Sequence, residues 1–286
     1  MAPETFEDSA IRFSCGQDWL YGVLSLPPAP ASRGVLIVVG GPQYRAGSHR
    51  QFTLLARSLA ACGIATMRFD YRGMGDSQGD ARSFEAVGDD LRAAIDAFMA
   101  AAPGMREVVL WGLCDAASAS AMYAASDARV AGLVLLNPWV RTDEGIARAT
   151  LKHYYGNRLL EGAFWRKLAR GEFDMAGSLK SMAGLLRSAM RRQPDTDPAR
   201  AGATAPLPER MHAGLRSFAG PVMVVVSGAD LTAREFCSVA ATPAWKRLLE
   251  GAHVTWRQLD KADHTFSRRA WRDQVSAWTC DWVRSL

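Results

Sequence analysis

Eight apolar runs rich in β-branched residues recur along the chain with amphipathic stretches between them. That alternation narrows the fold most, because it predicts an α/β protein with a mostly parallel sheet and helices on both faces. The runs read as strands at about Ile11–Cys15, Trp19–Leu26, Gly34–Val39, Ile64–Phe69, Val108–Trp111, Val130–Leu136, Pro221–Ser227 and Val254–Leu259. The Gly16-Gln17-Asp18 turn joins the first two, which predicts an antiparallel hairpin ahead of the parallel strands. Helices are expected over about His49–Cys62, Phe84–Ala100, Asp115–Ala125, Thr242–Glu250 and Phe266–Ser285. In the second of these, Val87, Leu91, Ile95 and Phe98 recur every three or four residues and mark one buried face.

The strand rhythm stops between Pro138 and Gly220, where the chain reads as Arg-rich helices. Residues 1–137 and 221–286 are therefore assigned to the core, and 138–220 to a helical lid insertion packed down by apolar residues between Leu151 and Leu168. Two proline-rich stretches, Gln193-Pro-Asp-Thr-Asp-Pro198 and Pro206-Leu-Pro208, predict a mobile loop over 193–208. At 286 residues the chain is long enough for one α/β core plus such an insertion, without disulfides.

Charge and cysteine usage narrow the function classes. The formal net charge is +5, and the segment Arg141–Arg216 alone holds 14 basic and 8 acidic residues. Its charges alternate in sign and no aromatic platform is interleaved with them, so a solvated helical face is expected there and no nucleic-acid partner. Cys15, Cys62, Cys114, Cys237 and Cys280 form no CxxC pair and no Cys/His cluster at zinc spacing, so no metal and no cofactor is called for. The odd count fits a reducing cytoplasm. The opening residues are acidic and polar and no apolar run is long enough for a membrane span, so secretion and membrane insertion are disfavoured.

The strongest local signal is Trp111-Gly-Leu-Cys-Asp-Ala116, which follows a strand and precedes a helix rich in Ala and Ser. It reads as a nucleophile elbow with Cys114 at the apex, where Gly112 and Ala116 supply the small neighbours that a tight strand-to-helix turn needs. At a helix N-terminus the peptide dipoles favour a thiolate. Against this stands the plain reading of Cys114 as a small buried hydrophobe. Ser118 and Ser120 lie beyond the apex, inside the helix, and are weaker nucleophile candidates.

His264, in Ala262-Asp-His-Thr-Phe266, follows the last strand, where such a fold carries its general base. Asp230, in Ser227-Gly-Ala-Asp-Leu231, follows the preceding strand and is the candidate orienting acid, with Asp263 and Asp260 as rivals. The oxyanion donors are expected to be the backbone N–H of Asp115 and a second group in Val39-Gly-Gly-Pro-Gln-Tyr-Arg45: the backbone of Gly41 or Gln43, or the hydroxyl of Tyr44, because Pro42 has no N–H. An acid at position 115 is favoured by the helix dipole alone, though a functional role is also open to it. The stretch Phe69-Asp-Tyr-Arg-Gly-Met-Gly-Asp-Ser77 matches no phosphate-binding pattern and reads as a structural turn.

Taken in order, these motifs resemble the α/β-hydrolase superfamily over nearly the whole chain. More narrowly, residues 112–118 and 39–50 resemble the type-one hydrolase associated with the exosortase A system of Gram-negative bacteria. The Cys-His-Asp arrangement is also that of dienelactone hydrolases, whose insertion is shorter. The resemblance implies an enzyme acting on a small-molecule acyl substrate in a setting of exopolysaccharide production and protein sorting. The expected activity is ester or thioester hydrolysis, or acyl transfer, through Cys114, His264 and Asp230. The alternative is a non-catalytic protein that holds a ligand or partner in the same pocket.

Overall fold

The computed structural model describes residues 6–41, 43–141 and 205–286. All eight expected runs are strands: β1 (Glu7–Cys15), β2 (Asp18–Leu26), β3 (Arg33–Val38), β4 (Thr66–Asp70), β5 (Glu107–Leu113), β6 (Val130–Leu136), β7 (Val222–Ser227) and β8 (Val254–Leu259). They form one sheet in the order β1-β2-β4-β3-β5-β6-β7-β8. The first two make the expected antiparallel hairpin, with Cys15 opposite Asp18 and Gly16 at φ 62°, the left-handed position that a two-residue turn reserves for glycine. β2 is antiparallel to β4, and every later pairing is parallel. β1 starts four residues earlier than the apolar run because it is an edge strand. Its first residues face water on their outer side, so hydrophobicity does not mark them, yet Glu7 still pairs with Leu26.

Seven α-helices are described: α1 (Gln51–Ala61), α2 (Gly88–Ala101), α3 (Asp115–Tyr123), α4 (Leu207–Ser217), α5 (Leu231–Ala240), α6 (Pro243–Leu249) and α7 (Arg269–Ser285). On one face of the sheet, Ile37, Trp111, Leu136 and Val225 pack with Phe52, Leu55 and Leu59 of α1 and with Val275 and Val283 of α7. The alternate residues Leu36, Leu110, Leu135 and Val224 are just as fully buried on the other face. Two covered faces explain why the central strands read as continuous apolar runs.

Three departures from the expected helices and loop are found. Helix α5 has no counterpart in the sequence reading, because its Thr, Cys, Ser and Val residues favour helix poorly. It forms because Asp230 caps its N-terminus and Thr232, Ala233 and Phe236 are buried. The last helix begins at Arg269 and not at Phe266, because Phe266 sits at φ 51°, which no helix accommodates. Leu207 and Pro208, expected in the loop, open α4, where a proline in the first turn leaves no donor unpaired.

The chain divides into two units, Met1–Val140 with Pro208–Leu286, and Arg141–Leu207. The sheet lies in the first. Of the helical lid expected over 138–220, residues 142–204, with the Leu151–Leu168 residues and most of the 193–208 loop, lie outside the described residues. Among the described residues no helix is long and apolar enough to cross a membrane.

Candidate active site

The carboxyl ends of β5, β7 and β8 bring three sequence-distant loops together. At the end of β5, Cys114 adopts φ 63° and ψ −124°, a conformation that costs a residue with a Cβ about 1–3 kcal/mol and is held by its surroundings. Its N–H donates to the Leu136 carbonyl (2.9 Å), and its own carbonyl accepts from Ala117 (3.1 Å) and Trp139 (3.2 Å). Only glycine fits at position 112, since a Cβ there would stand 2.6 Å from the Ala116 carbonyl oxygen. The turn therefore presents the half-buried Cys114 at the N-terminus of α3.

His264 and Asp230 face it from β8 and β7. Their loops are zipped by Gly228 N–H to the Leu259 carbonyl (2.9 Å) and Ala229 N–H to the Ala262 carbonyl (3.1 Å). His264 Nδ1 lies 2.9 Å from Asp230 Oδ2, and the ring neighbours the Cys114 side chain. These two neighbours, Asp230 first, push the His264 pKa up to about 10, against the opposing effect of burial. Burial pushes the Asp230 carboxyl upward, but the bonds from His264 and the Ala233 N–H outweigh it and hold the carboxyl below the usual range. The rivals are engaged elsewhere. Asp263 accepts from the Ser267 N–H (2.9 Å) and hydroxyl, and Asp260 accepts from Gln258 (2.7 Å). Ser118 and Ser120 are fully buried and donate to the Trp139 (2.6 Å) and Ala116 (2.8 Å) carbonyls.

The expected oxyanion donors come out less simply. The Gly41 N–H donates to Asp115 Oδ2 (2.8 Å), and the Tyr44 ring is 52% exposed, with its carbonyl bonded to Gly47. The Gln43 side chain accepts from the Ser48 N–H (3.1 Å), while its backbone N–H makes no hydrogen bond among the described residues. The turn after β4 holds this loop: the fully buried Asp70 accepts from the Arg45 N–H (2.6 Å) and guanidinium and from the Asp76 N–H (3.3 Å). The loop over residues 69–77 is thus structural support for the loop after β3.

Asn137, which the sequence reading misses, ties the His264 loop to the end of β7. Fully buried at φ 42°, it donates through Nδ2 to the His264 carbonyl (2.9 Å) and Ser227 Oγ (2.6 Å), and its Oδ1 accepts from the Ser227 N–H (2.8 Å). The available signal was an Asn at the carboxyl end of a buried strand and before a proline, since Asn tolerates the left-handed region better than other residues with a Cβ. Asn137→Ala strands a buried N–H and frees the His264 loop. We expect it to lower unfolding free energy by about 2–4 kcal/mol and turnover by at least tenfold, read from denaturant melts and steady-state rates.

Among the described residues no group of three or more His, Cys, Asp or Glu is placed to hold a metal ion. A cavity of about 680 Å³ opens between α1 and α7, lined by Arg50, Cys62, Arg272 and Arg284 among others, and contains none of Cys114, His264 and Asp230.

Residues 30–232 match the family model described as serine aminopeptidase, S33. The description names a serine, whereas the elbow apex here carries Cys114. No curated protein matches the sequence. Among solved structures, the esterase Pf2001 of Pyrococcus furiosus is similar at TM-score 0.65 and 14% identity, covering 98% of this chain and 93% of its own. A dienelactone hydrolase from Anabaena variabilis is similar at TM-score 0.60 and 15% identity, covering 98% of each chain. Est1E from Butyrivibrio proteoclasticus, solved with ferulic acid bound, is similar at TM-score 0.62 and 14% identity, covering 96% of this chain and 98% of its own.

Proposed function

Since the chain belongs to the serine aminopeptidase, S33, family of α/β-hydrolases, we propose that it is a hydrolase or acyl transferase that works through a covalent acyl-enzyme on Cys114. The observation that carries this reading is the convergence of Cys114, His264 and Asp230 at the carboxyl edge of the sheet, with His264 Nδ1 2.9 Å from the Asp230 carboxylate and its ring beside Cys114. Asp230 holds the imidazole by Nδ1 and stabilises its positive charge. His264 takes the proton of Cys114 or holds the sulfur as its ion-pair partner, and the sulfur attacks the acyl carbon. The carbonyl π pair moves to oxygen, then returns and expels the leaving group, which takes its proton from His264. Water or another acceptor, deprotonated by His264, then attacks the thioester and frees Cys114.

Thioesters, activated esters and lactones are the substrate classes this chemistry favours over amides, because an amine leaves worse than the attacking thiolate. The likeness of 112–118 and 39–50 to the exosortase-associated hydrolases supports a role beside exopolysaccharide production and protein sorting. Free thiols at all five cysteines support a reducing, cytoplasmic setting.

The test is mass spectrometry of the intact protein mixed with a panel of thioesters and aryl esters, paired with iodoacetamide labelling. An acyl mass on the Cys114 peptide, and labelling of Cys114 faster than a free-thiol standard at pH 7, are expected. Because the His264 pKa is raised, the attraction of the imidazolium to its partners is fully present below the unfolded value of about 6.5 and disappears as pH rises through about 10. Turnover and the stability owed to this pair should therefore decline across that window. No adduct with any substrate, together with slow labelling, would leave the non-catalytic binding protein standing.

A further inference from the structure

The Gly41 N–H, one of the donors expected to receive an acyl oxyanion, already serves a carboxylate. Asp115, the residue after Cys114, accepts hydrogen bonds from the Gly41 N–H (2.8 Å) and the Ala116 N–H (2.9 Å). The first turn of α3, whose exposed N–H groups favour an acid, accounts for the second of these bonds. It does not account for the first, which reaches across to the loop after β3. The opposite side is shaped for the same group: a Cβ on Gly40 would stand 2.1 Å from Asp115 Oδ1 and 2.9 Å from the Ala116 nitrogen, so the absent side chain at position 40 is the room the carboxyl occupies.

We infer that the Asp115 carboxyl is an internal occupant of the oxyanion donors, filling in the resting enzyme the place that an acyl oxygen takes during reaction, so that turnover requires its displacement. The inference rests on the reading of Cys114 as nucleophile. When the thiolate adds to a carbonyl, the S–C bond forms and the π pair becomes an oxyanion that needs those N–H groups. A carboxylate still bound there both withholds the donors and repels the new charge. It must swing out or take up a proton, and burial of the carboxyl, which raises its pKa, eases the second route. The charged or titratable groups that act on it or on its neighbours here are Cys114, His264 and Tyr71. Asp115 is on this account a positioning residue, which controls when the donors are free.

Two electrophiles separate occupancy from mere support. A short-chain trifluoromethyl ketone adds to a thiolate to give a tetrahedral oxyanion. Iodoacetamide forms the S–C bond as iodide leaves and creates no oxyanion. The intact protein, Asp115→Ala and Asp115→Asn are compared for ketone affinity and for the rate of Cys114 alkylation. The ratio of ketone affinity to alkylation rate should rise about tenfold or more in Asp115→Ala, where a donor is freed. In Asp115→Asn the rise should be smaller, about threefold, because a neutral amide oxygen still accepts from Gly41 without the charge. An unchanged or lowered ratio overturns the inference and makes the carboxyl a brace for the loop; the near-isosteric Asn variant suffices for this if the Ala variant does not fold. Failure of iodoacetamide to label Cys114 in the intact protein would remove the nucleophile itself, and the inference with it.

Discussion

Cys114→Ala is expected to bring acyl-ester turnover down to the uncatalysed background while leaving the fold in place. The elbow strain belongs to any residue with a Cβ at φ 63°, and alanine keeps that Cβ while removing only the sulfur. Melting should therefore shift by no more than a few degrees, about 1 kcal/mol, although the loss in rate is close to total. Residual turnover within a few-fold of the starting protein would take Cys114 out of the mechanism. The serine variant asks a sharper question, because the family description names a serine at this task. Cys114→Ser should fall by about 10²-fold or more. A hydroxyl must be deprotonated during attack and cannot rest as the anion beside the imidazolium, and its shorter bond withdraws the nucleophile from the carbonyl. A serine variant as fast as the natural thiol would show that the site runs on general-base chemistry.

The second large effect belongs to the acid. Asp230→Asn should lower kcat by about 10²–10⁴-fold, because a neutral amide neither fixes the His264 tautomer nor stabilises its charge. For helix α5 itself the same substitution is mild, since asparagine caps a helix about as well as aspartate and can still accept from the Ala233 N–H. Asp263→Asn provides the contrast: its carboxylate is spent on Ser267, so turnover should fall by no more than a few-fold, with a loss of about 1 kcal/mol in the loop. The reverse order of damage, measured in the same assay, would transfer the role to Asp263. With Asp230→Asn the stability that the His264 pair adds below pH 6.5 should also vanish, and the melting curves of the two proteins should converge by pH 10.

The sheet was legible in the sequence, as were the three positions that the fold brings together at its carboxyl edge, because both rest on strong local signals. A strand buried on two faces is a run of Val, Ile and Leu, and a nucleophile elbow must have small residues around its apex. Where the signal depends on a partner far along the chain, the sequence is silent. Helix α5 owes its start to the cap at Asp230 rather than to its own composition. Asn137 works through atoms about ninety and more residues away, at Ser227 and His264, and nothing within the run Leu136-Asn-Pro138 marks that destination. Gly41 was legible as a candidate oxyanion donor, but the bond it makes to the Asp115 carboxyl arises only when the β3 and β5 loops lie side by side, as neighbouring strands place them.

Asp230 uses one oxygen, Oδ2, for both the Ala233 N–H and His264. Unwinding the first turn of α5 releases that carboxylate, and with it the imidazole. The amide of Ala233 and the readiness of His264 therefore share a single opening equilibrium. First turns of helices fray at far lower cost than a central sheet melts, so heat should silence this protein while its strands are still paired, and cooling should restore it without refolding the core.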